Sequence, residues 1–231
     1  MKLLDLFCGA GGCAWGYRMA GFEIVGVDIE PQPNYPFAFH QGDALEFFRR
    51  RSARGDFAGV RFDAIHASPP CQMYSRALKH LSAPQPMLIG AMRVALRETD
   101  VPWVIENVEG APLPTQSTLD GRHGVELCGS MFGLPIFRHR LFETSFPVEA
   151  PGGCSHKGLA MNPHNEPGRQ RIYDAYGHGQ HPEAPWREAM GVAWMERYEA
   201  REAVPPAFTA YIGRYLAHEV RRTSTLRKAA A

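Results

Sequence analysis

Residues 3–19 read LLDLFCGAGGCAWGYRM, and this stretch decides the fold. An apolar run from Leu3 to Phe7 leads into a glycine-rich turn, residues 8–12, and a segment with helical spacing follows from Ala14 to Met19. A short apolar run that ends at a glycine turn before a helix is typical of the first strand of an α/β sheet. Because glycine has no Cβ, the backbone of such a turn lets a bound molecule approach closely.

The alternation of strands and helices continues to residue 146. Further strands are predicted over residues 23–28, just before 42–43, and over 62–67, 101–105 and 141–146. Helices are predicted over residues 45–51 and 86–97. This alternation indicates an α/β, Rossmann-like domain with a mostly parallel sheet and helices on both faces.

The remaining chain divides into three segments. Residues 147–185 are rich in glycine, proline, histidine and asparagine, which predicts a loop-rich insertion. Residues 186–222 are predicted to form a helical return that packs on the first domain, residues 1–146. Residues 223–231 are predicted to be a flexible tail.

Composition excludes several classes of protein. No apolar run is long enough to span a bilayer, and the apolar N-terminus lacks the features of a signal peptide. The formal net charge is +1, so overall charge gives no argument for nucleic-acid binding. The five cysteines are scattered and odd in number, which predicts no disulfide framework and a cytoplasmic location.

Polar or reactive residues stand at the ends of four predicted strands: Asp28, Asp43, Cys71 and Glu106. Ligands of an open parallel sheet bind beyond the carboxyl ends of its strands, so these residues are expected around one crevice. Asp28 occupies the usual place of an acid that accepts ribose hydroxyls. Asp43 suits either an adenine amino group or an ordinary helix N-cap, and both interpretations stay open.

The motif SPPCQ, residues 68–72, is the sharpest chemical signal. Two prolines fix the backbone before Cys71, which starts a loop and can meet a substrate there. A small buried cysteine and a solvated loop glutamate are the plain alternatives for Cys71 and Glu106. Together, a thiol and an acid suit thiolate addition to an unsaturated ring, with the acid protonating that ring.

Taken in order, these motifs resemble the DNA (cytosine-5)-methyltransferase family, in its compact, phage-like orphan form. The matching pieces are DLFCGAGG (5–12), VD (27–28), GD (42–43), PPCQ (69–72), ENV (106–108), RHR (138–140) and AVPP (203–206). The resemblance implies a class I methyltransferase fold that uses S-adenosylmethionine to methylate carbon 5 of cytosine in DNA. It also implies that residues 1–146 form the catalytic domain and residues 147–185 a reduced target-recognition segment.

The resemblance assigns roles to individual residues. Cys71 would add to carbon 6 of the cytosine, and Glu106 would hold ring nitrogen N3 and the exocyclic amine. Arg138 and Arg140 would contact the pyrimidine O2 and the backbone of the site, although two surface charges on a strand edge would show the same pattern. A target in a duplex would have to be flipped out of the stack. The implied cofactor residues are Phe7, Gly9, Ala10, Gly11, Gly12, Asp28, Ile29, Asp43, Ala44 and Pro70.

Three departures from the family pattern bear on function. Ile136 stands where a glutamine is usual, and Arg201-Glu202 replaces a usual Gly-Asn pair. The space for target recognition, residues 145–185, is short, and base-edge readout needs several positioned side chains. We therefore expect short or relaxed sequence specificity, or an accessory specificity protein.

Two alternative functions remain open. The same chemistry on tRNA or a free cytosine nucleotide is favoured by the short recognition segment. A catalytically degenerate DNA-binding relative is favoured by the departures at residues 136 and 201–202. An active enzyme would work in a bacterial cytoplasm, or in a host cytoplasm if a phage encodes it, either in restriction-modification or as an orphan methylase.

One cluster of potential metal ligands stands apart from these motifs. Cys154 and His156 are followed by His164, His178 and His181. Their spacing matches no standard zinc finger. The sequence therefore predicts no metal site, and whether Cys154 and His156 bind a metal stays open.

Overall fold

The computed structural model describes residues 1–52, 60–70, 88–119, 121–160, 170–174 and 183–230. The strands are β1 (Lys2–Leu6), β2 (Glu23–Asp28), β3 (Ala38–Gln41), β4 (Ala64–Ala67), β5 (Trp103–Val108), β6 (His123–Cys128), β7 (Ile136–Phe137), β8 (His139–Thr144), β9 (Leu159–Ala160), β10 (Gln170–Arg171) and β11 (Tyr173–Asp174). The helices are α1 (Gly12–Met19), α2 (Ala44–Ser52), α3 (Leu88–Arg97), α4 (Glu183–Met190), α5 (Arg197–Glu202) and α6 (Pro206–Ala230). A 3₁₀ turn spans Gly129–Phe132.

Seven strands form one sheet in the order β3-β2-β1-β4-β5-β8-β6. Neighbouring strands from β3 to β5 are parallel, whereas β8 runs antiparallel to both β5 and β6. The predicted mostly parallel α/β sheet is therefore confirmed. No strand was predicted at β6, so the place of β8 between β5 and β6 is visible only in the structure.

Side chains that alternate along β1 divide the core between the two faces of the sheet. Leu3 belongs to an apolar cluster with Tyr17 of α1 and Phe208 of α6. Leu4 belongs to a second cluster with Phe48 of α2 and residues of α3. Since successive residues of a strand point to opposite faces, helices cover both faces of the sheet, as predicted.

Helix α6 lies against α1 at very short range. A Cβ atom at Gly16 would collide with the Thr209 hydroxyl and the Pro206 carbonyl, and one at Gly213 would lie 2.6 Å from the Ala20 Cβ. The Thr209 hydroxyl donates a hydrogen bond to the Cys13 carbonyl at 2.9 Å. This contact brings the chain just before α6 to the glycine-rich turn at the start of α1.

The last helix continues well beyond the predicted one. It includes residues 223–230, where the sequence pattern predicted a flexible tail. An ion pair joins Arg222 to Glu219 at 2.6 Å in the turn just before this stretch. The Thr223 hydroxyl donates to the Glu219 carbonyl at 3.0 Å, and Arg227 donates to the Asp100 carbonyl at 2.6 Å. The prediction used the spacing of apolar residues, and these polar contacts do not affect that spacing.

Two features of the remaining structure bear on function. The insertion predicted over residues 147–185 contains the two-residue strands β9, β10 and β11 among its described residues. No helix in the ranges that the structure describes has both the length and the apolarity needed to cross a bilayer.

Candidate active site

The turn after β1 holds its backbone in unusual conformations. Phe7 has φ 58°, the one positive value for a non-glycine residue in the described part of the chain, and Gly9 and Gly11 have φ 48° and 88°. The Gly9 N–H donates to the Asp28 carboxylate at 2.9 Å, and the Glu30 N–H donates to its other oxygen at 3.1 Å. Asp28 thus fixes the turn from the end of β2. A strained backbone held in this way is a frequent property of ligand sites.

A cleft of about 520 Å³ opens over this turn, beyond the carboxyl ends of the parallel strands. Seven of the predicted cofactor residues line it, namely Phe7, Gly9, Ala10, Gly12, Asp28, Ile29 and Pro70. Glu106 and Arg140 line it as well. The sheet therefore brings together residues from five separate parts of the chain, as expected from the strand ends.

Among the residues that the structure describes, three predicted cofactor residues and one predicted catalytic residue lie outside this lining: Gly11, Asp43, Ala44 and Arg138. The Asp43 carboxylate accepts the Glu46 N–H at 2.6 Å, so it acts as the N-cap of α2. Ala44, the first residue of that helix, is buried in the apolar core. A Cβ at Gly11 would lie 3.0 Å from the Pro36 side chain, which places this glycine against the β2–β3 connection.

Glu106 and Arg140 form a buried ion pair at the end of β5. Arg140 Nε lies 3.0 Å from Glu106 Oε1, and both side chains are less than one-tenth exposed. Burial raises the pKa of Glu106, although Arg140, a hydrogen bond from Ser68, and Arg138 oppose that shift. A carboxyl group with a raised pKa holds its proton nearer to neutral pH, which suits an acid that protonates a substrate.

Arg138 has a different place from Arg140. It is 1% exposed, and its guanidinium donates to the Arg201 carbonyl at 2.6 Å. It therefore links the start of β8 to the segment that precedes α6, and its positive charge opposes the rise in the pKa of Glu106. The sequence motif treated the two arginines alike because their spacing does not show which one reaches the cleft.

Ser68, which carried no predicted role, connects Glu106 to a buried histidine. The Ser68 hydroxyl lies 2.9 Å from His66 Nε2, and His66 Nδ1 lies 2.9 Å from the Tyr17 hydroxyl. Burial lowers the pKa of His66 to about 3, so this imidazole is neutral at physiological pH. The chain Tyr17–His66–Ser68 holds the hydroxyl that faces Glu106. A histidine inside a strand gives no sequence signal for such a role.

Asn107 fixes the two loops of the cleft relative to each other. Its side-chain amide donates to the Pro69 carbonyl at 2.7 Å, and its side-chain oxygen accepts the Val108 N–H at 3.0 Å. The Asn of the ENV motif therefore ties the end of β5 to the SPP turn after β4.

The predicted nucleophile, Cys71, lies outside the described residues. Pro70, the residue before it, lines the cleft. Cys8 and Cys13 also line the cleft, but burial raises the pKa of both thiols, so both stay protonated. Since the thiolate is the nucleophilic form, neither is a good candidate for attack on a substrate. The role of Cys71 remains a prediction.

Asp5 is a candidate that the predicted site omitted. It lines the cleft and is fully buried, and burial raises its pKa to about 8. Oδ2 accepts the Tyr35 hydroxyl at 3.3 Å, whereas Oδ1 has no hydrogen-bond partner within the described part of the chain. A buried acceptor without a partner is costly, so a ligand that donates to Oδ1 would be bound favourably.

The segment before α6 completes the cleft from the side. Six of its residues line the cleft, namely Met195, Tyr198, Glu199, Glu202, Ala203 and Val204. A Cβ at Gly12 would lie 2.5 Å from the Val204 carbonyl, so the glycine permits this approach.

Ile136, which departs from the family pattern, is fully buried in the apolar cluster that contains Trp186 and Met190. Where the family usually has a glutamine, this chain therefore has an apolar side chain that packs against α4.

A family model and two curated proteins match parts of this chain. Residues 1–117 match the family model described as C-5 cytosine-specific DNA methylase. The Type II methyltransferase M.HgiGI of Herpetosiphon aurantiacus is 32% identical, over 49% of this chain and 94% of that protein. The Type II methyltransferase M.AgeI of Thalassovita gelatinovora is 36% identical, over 32% of this chain but 20% of that protein. The chain thus covers a fifth of one curated relative and nearly all of another.

Two solved structures share the fold over almost their whole length. The S. pombe Dnmt2 methyltransferase aligns with a TM-score of 0.57 and 12% identity, covering 95% of this chain and 99% of that one. The Entamoeba histolytica methyltransferase EhMeth aligns with a TM-score of 0.60 and 12% identity, covering 95% and 98%. These likenesses establish the methyltransferase fold of the chain.

Proposed function

The chain belongs to the C-5 cytosine-specific DNA methylase family, and we propose that it methylates carbon 5 of cytosine in DNA with S-adenosylmethionine as methyl donor. The observation that carries this proposal is the buried Glu106–Arg140 pair, which lies in one cleft with the glycine-rich turn and with Pro70 of the PPCQ motif.

The residues of the cleft fit the methyl donor. Its volume, about 520 Å³, lies within the range of roughly 300–1,000 Å³ that small-molecule sites occupy. The amino group of the donor would satisfy Asp5 Oδ1, and Asp28 at the end of β2 would accept ribose hydroxyls. When bound, S-adenosylmethionine supplies an electrophilic methyl group on a sulfonium.

The chain's own residues would carry the remaining chemistry. The Cys71 thiolate forms a bond to carbon 6 of the cytosine, while ring nitrogen N3 takes a proton from Glu106. The electron pair released toward carbon 5 makes that atom nucleophilic, and it would take the methyl group from the sulfonium, whose sulfur keeps the bonding pair and leaves as a thioether. A base from solvent then removes the carbon 5 proton, the Cys71–carbon 6 bond breaks to restore the thiolate, and N3 returns its proton to Glu106.

Arg140 has two roles in this scheme. It holds the Glu106 carboxyl in place at 3.0 Å, and it adds positive charge beside a ring that accumulates electrons during attack. Ser68 and Asn107 position the surrounding loops through the hydrogen bonds described above. Because carbon 6 lies inside a base stack, a duplex substrate would present its cytosine flipped out.

Target recognition would depend on the short segment 145–185. A segment of this length offers few side chains for reading base edges, so we expect a short or relaxed recognition sequence, or help from an accessory specificity protein.

The test is methyl transfer to three separate substrates: duplex DNA of mixed sequence, tRNA and dCMP. Nucleoside mass spectrometry should find 5-methylcytosine in DNA, with the product lost in Cys71→Ser and retained in Glu98→Gln, an exposed glutamate outside the cleft. Product in tRNA or dCMP alone would overturn the DNA assignment. DNA binding without transfer in the unmodified chain would identify a binding protein.

A further inference from the structure

Four potential metal ligands converge at the far edge of the sheet, outside the cleft. Cys128 ends β6, His139 begins β8, and Cys154 and His156 belong to the segment after β8. One donor atom from each residue lies within 4.8 Å of every other. His156 Nε2 lies 3.3 Å from the Cys128 sulfur and 3.1 Å from the Cys154 sulfur, and His139 Nε2 lies 3.4 Å from the Cys154 sulfur.

These separations are close to the edges of a tetrahedral zinc site. With Zn–S bonds of about 2.3 Å and Zn–N bonds of about 2.0 Å, a sulfur and a nitrogen ligand of one tetrahedron lie roughly 3.5 Å apart. The three sulfur–nitrogen distances, 3.1–3.4 Å, are slightly shorter, so small outward shifts of the side chains would admit the ion. Two sulfurs and two imidazoles form a closed donor set, which is typical of structural rather than catalytic zinc.

Strand pairing explains how the site forms. Cys128 and His139 are directly opposite each other in the β6–β8 ladder, so their side chains project from the same face of the sheet. Cys154 and His156 add two ligands from a Cys-x-His sequence. Phe137 packs on His156 with ring centroids 4.3 Å apart, which orients that imidazole.

Ser130 supports the sulfurs from a second layer. Its hydroxyl lies 3.3 Å from the Cys128 sulfur and 3.6 Å from the Cys154 sulfur, and it accepts the Ser155 N–H at 3.3 Å. Hydroxyl donors around cysteine sulfurs favour the thiolate form that binds metal, and such partners orient the ligands.

We propose that Cys128, His139, Cys154 and His156 form a structural zinc site. The sequence predicted no metal because Cys128 and His139 are far from Cys154 along the chain, whereas the histidines considered there, His164, His178 and His181, lie outside the described residues. Soft sulfur ligands with imidazoles favour zinc over calcium or magnesium.

The site has a clear structural consequence. It fastens the start of the 147–185 insertion to the strand whose second residue, Arg140, reaches the cleft from the opposite face. Metal binding would therefore order both β8 and the base of the insertion. This inference does not depend on the proposed methyl transfer, and its test uses no activity measurement.

The test is metal analysis of the full chain, purified without a histidine tag. We expect about one zinc per chain, and after exchange with Co²⁺ an absorption spectrum with sulfur-to-cobalt charge-transfer bands. Cys154→Ser and His156→Gln, both at exposed positions, should lose the stoichiometric metal and change the cobalt spectrum. Ser155→Ala, which lies between the two ligands and leaves all four in place, should retain both signals.

Three results would overturn the proposal. One is a metal content well below one per chain with freely reactive Cys128 and Cys154 thiols. Another is a Cys128–Cys154 disulfide, seen as a mass loss of two hydrogens under non-reducing conditions. The third is an equal metal content in the unmodified chain and both ligand variants, which would assign the metal to other residues.

Discussion

Replacement of Asp5 by asparagine should change how stability depends on pH. Asp5 is fully buried, and burial raises its pKa from the ordinary 3.8 to about 8, with smaller contributions from Asp28 and Glu106. The native state therefore holds this proton more tightly than the unfolded chain. The contribution of Asp5 to stability is fully present below pH 3.8 and is lost as the pH rises toward 8.

The size of the effect follows from the pKa shift. Between the two pKa values of Asp5, each pH unit removes about 1.4 kcal/mol from the free energy of unfolding. From pH 5 to pH 7 the loss is about 2.7 kcal/mol. Asparagine has no proton to lose and can still accept the Tyr35 hydrogen bond, so this loss should be absent from Asp5→Asn.

Urea unfolding of the cofactor-free chain at pH 5, 6 and 7 measures the difference. The stability of Asp5→Asn relative to the unmodified chain should rise by about 2.7 kcal/mol across that range. Asp100→Asn, at an exposed position, should show no such trend. Parallel stability curves for Asp5→Asn and the unmodified chain between pH 5 and pH 7 would refute the reasoning.

Asp5 should also contribute to the affinity for S-adenosylmethionine, although its ionisation lowers the stability of the free protein. If the amino group of S-adenosylmethionine donates to Asp5, the asparagine variant should bind the cofactor roughly ten- to a hundredfold more weakly, the usual loss for a hydrogen bond between charged groups. Calorimetry at pH 7 should also show proton release on binding to the unmodified chain and none for the variant. Equal affinity in both proteins would remove Asp5 from the cofactor site.

Three further substitutions test other parts of the structure. Glu106→Gln should lower the rate of methyl transfer about 10²–10⁴-fold, since the amide cannot protonate the ring, while calorimetry should show unchanged cofactor affinity. Gly16→Ala should reduce the free energy of unfolding by about 1–3 kcal/mol, because its Cβ would collide with Thr209; an unchanged urea midpoint would contradict the close packing of α1 on α6. Arg93→Met should reduce it by about 1–3 kcal/mol, since Arg93 pairs at 2.7 Å with Glu143, whose side chain is 1% exposed, while Arg97 at 3.7 Å keeps that carboxylate partly paired; an unchanged urea midpoint would contradict this.

The parallel strands of the sheet could be predicted from the sequence because a recognisable turn or polar residue marks the end of each one. Apolar runs stop at the glycine turn, at Asp28, and at the SPP turn, and every one of these ends lies at the cleft. The antiparallel strand β8 was harder to place. Its position between β5 and β6 depends on pairing with β6, a strand that alternating polarity did not reveal.

Residues that act through a neighbour were missed for a similar reason. Ser68 and His66 have roles because they contact Glu106 and Tyr17. Contacts between residues so far apart along the chain cannot be predicted from a local sequence pattern. Cys128 and His139 became metal-ligand candidates only when the β6–β8 ladder set them opposite each other. Asp43 shows the converse, since its hydrogen bond to Glu46 is that of the N-cap, one of its two open interpretations.

The most direct test of the central claim is covalent trapping of the nucleophile. A fluorine at carbon 5 cannot leave as a proton does, so duplex DNA containing 5-fluorocytosine should stall the reaction after methyl transfer. Peptide mapping by mass spectrometry should then find the nucleotide attached to Cys71, dependent on S-adenosylmethionine, with none in Cys71→Ser. Formation of 5-methylcytosine in ordinary DNA by Cys71→Ser at the unmodified rate would contradict the account.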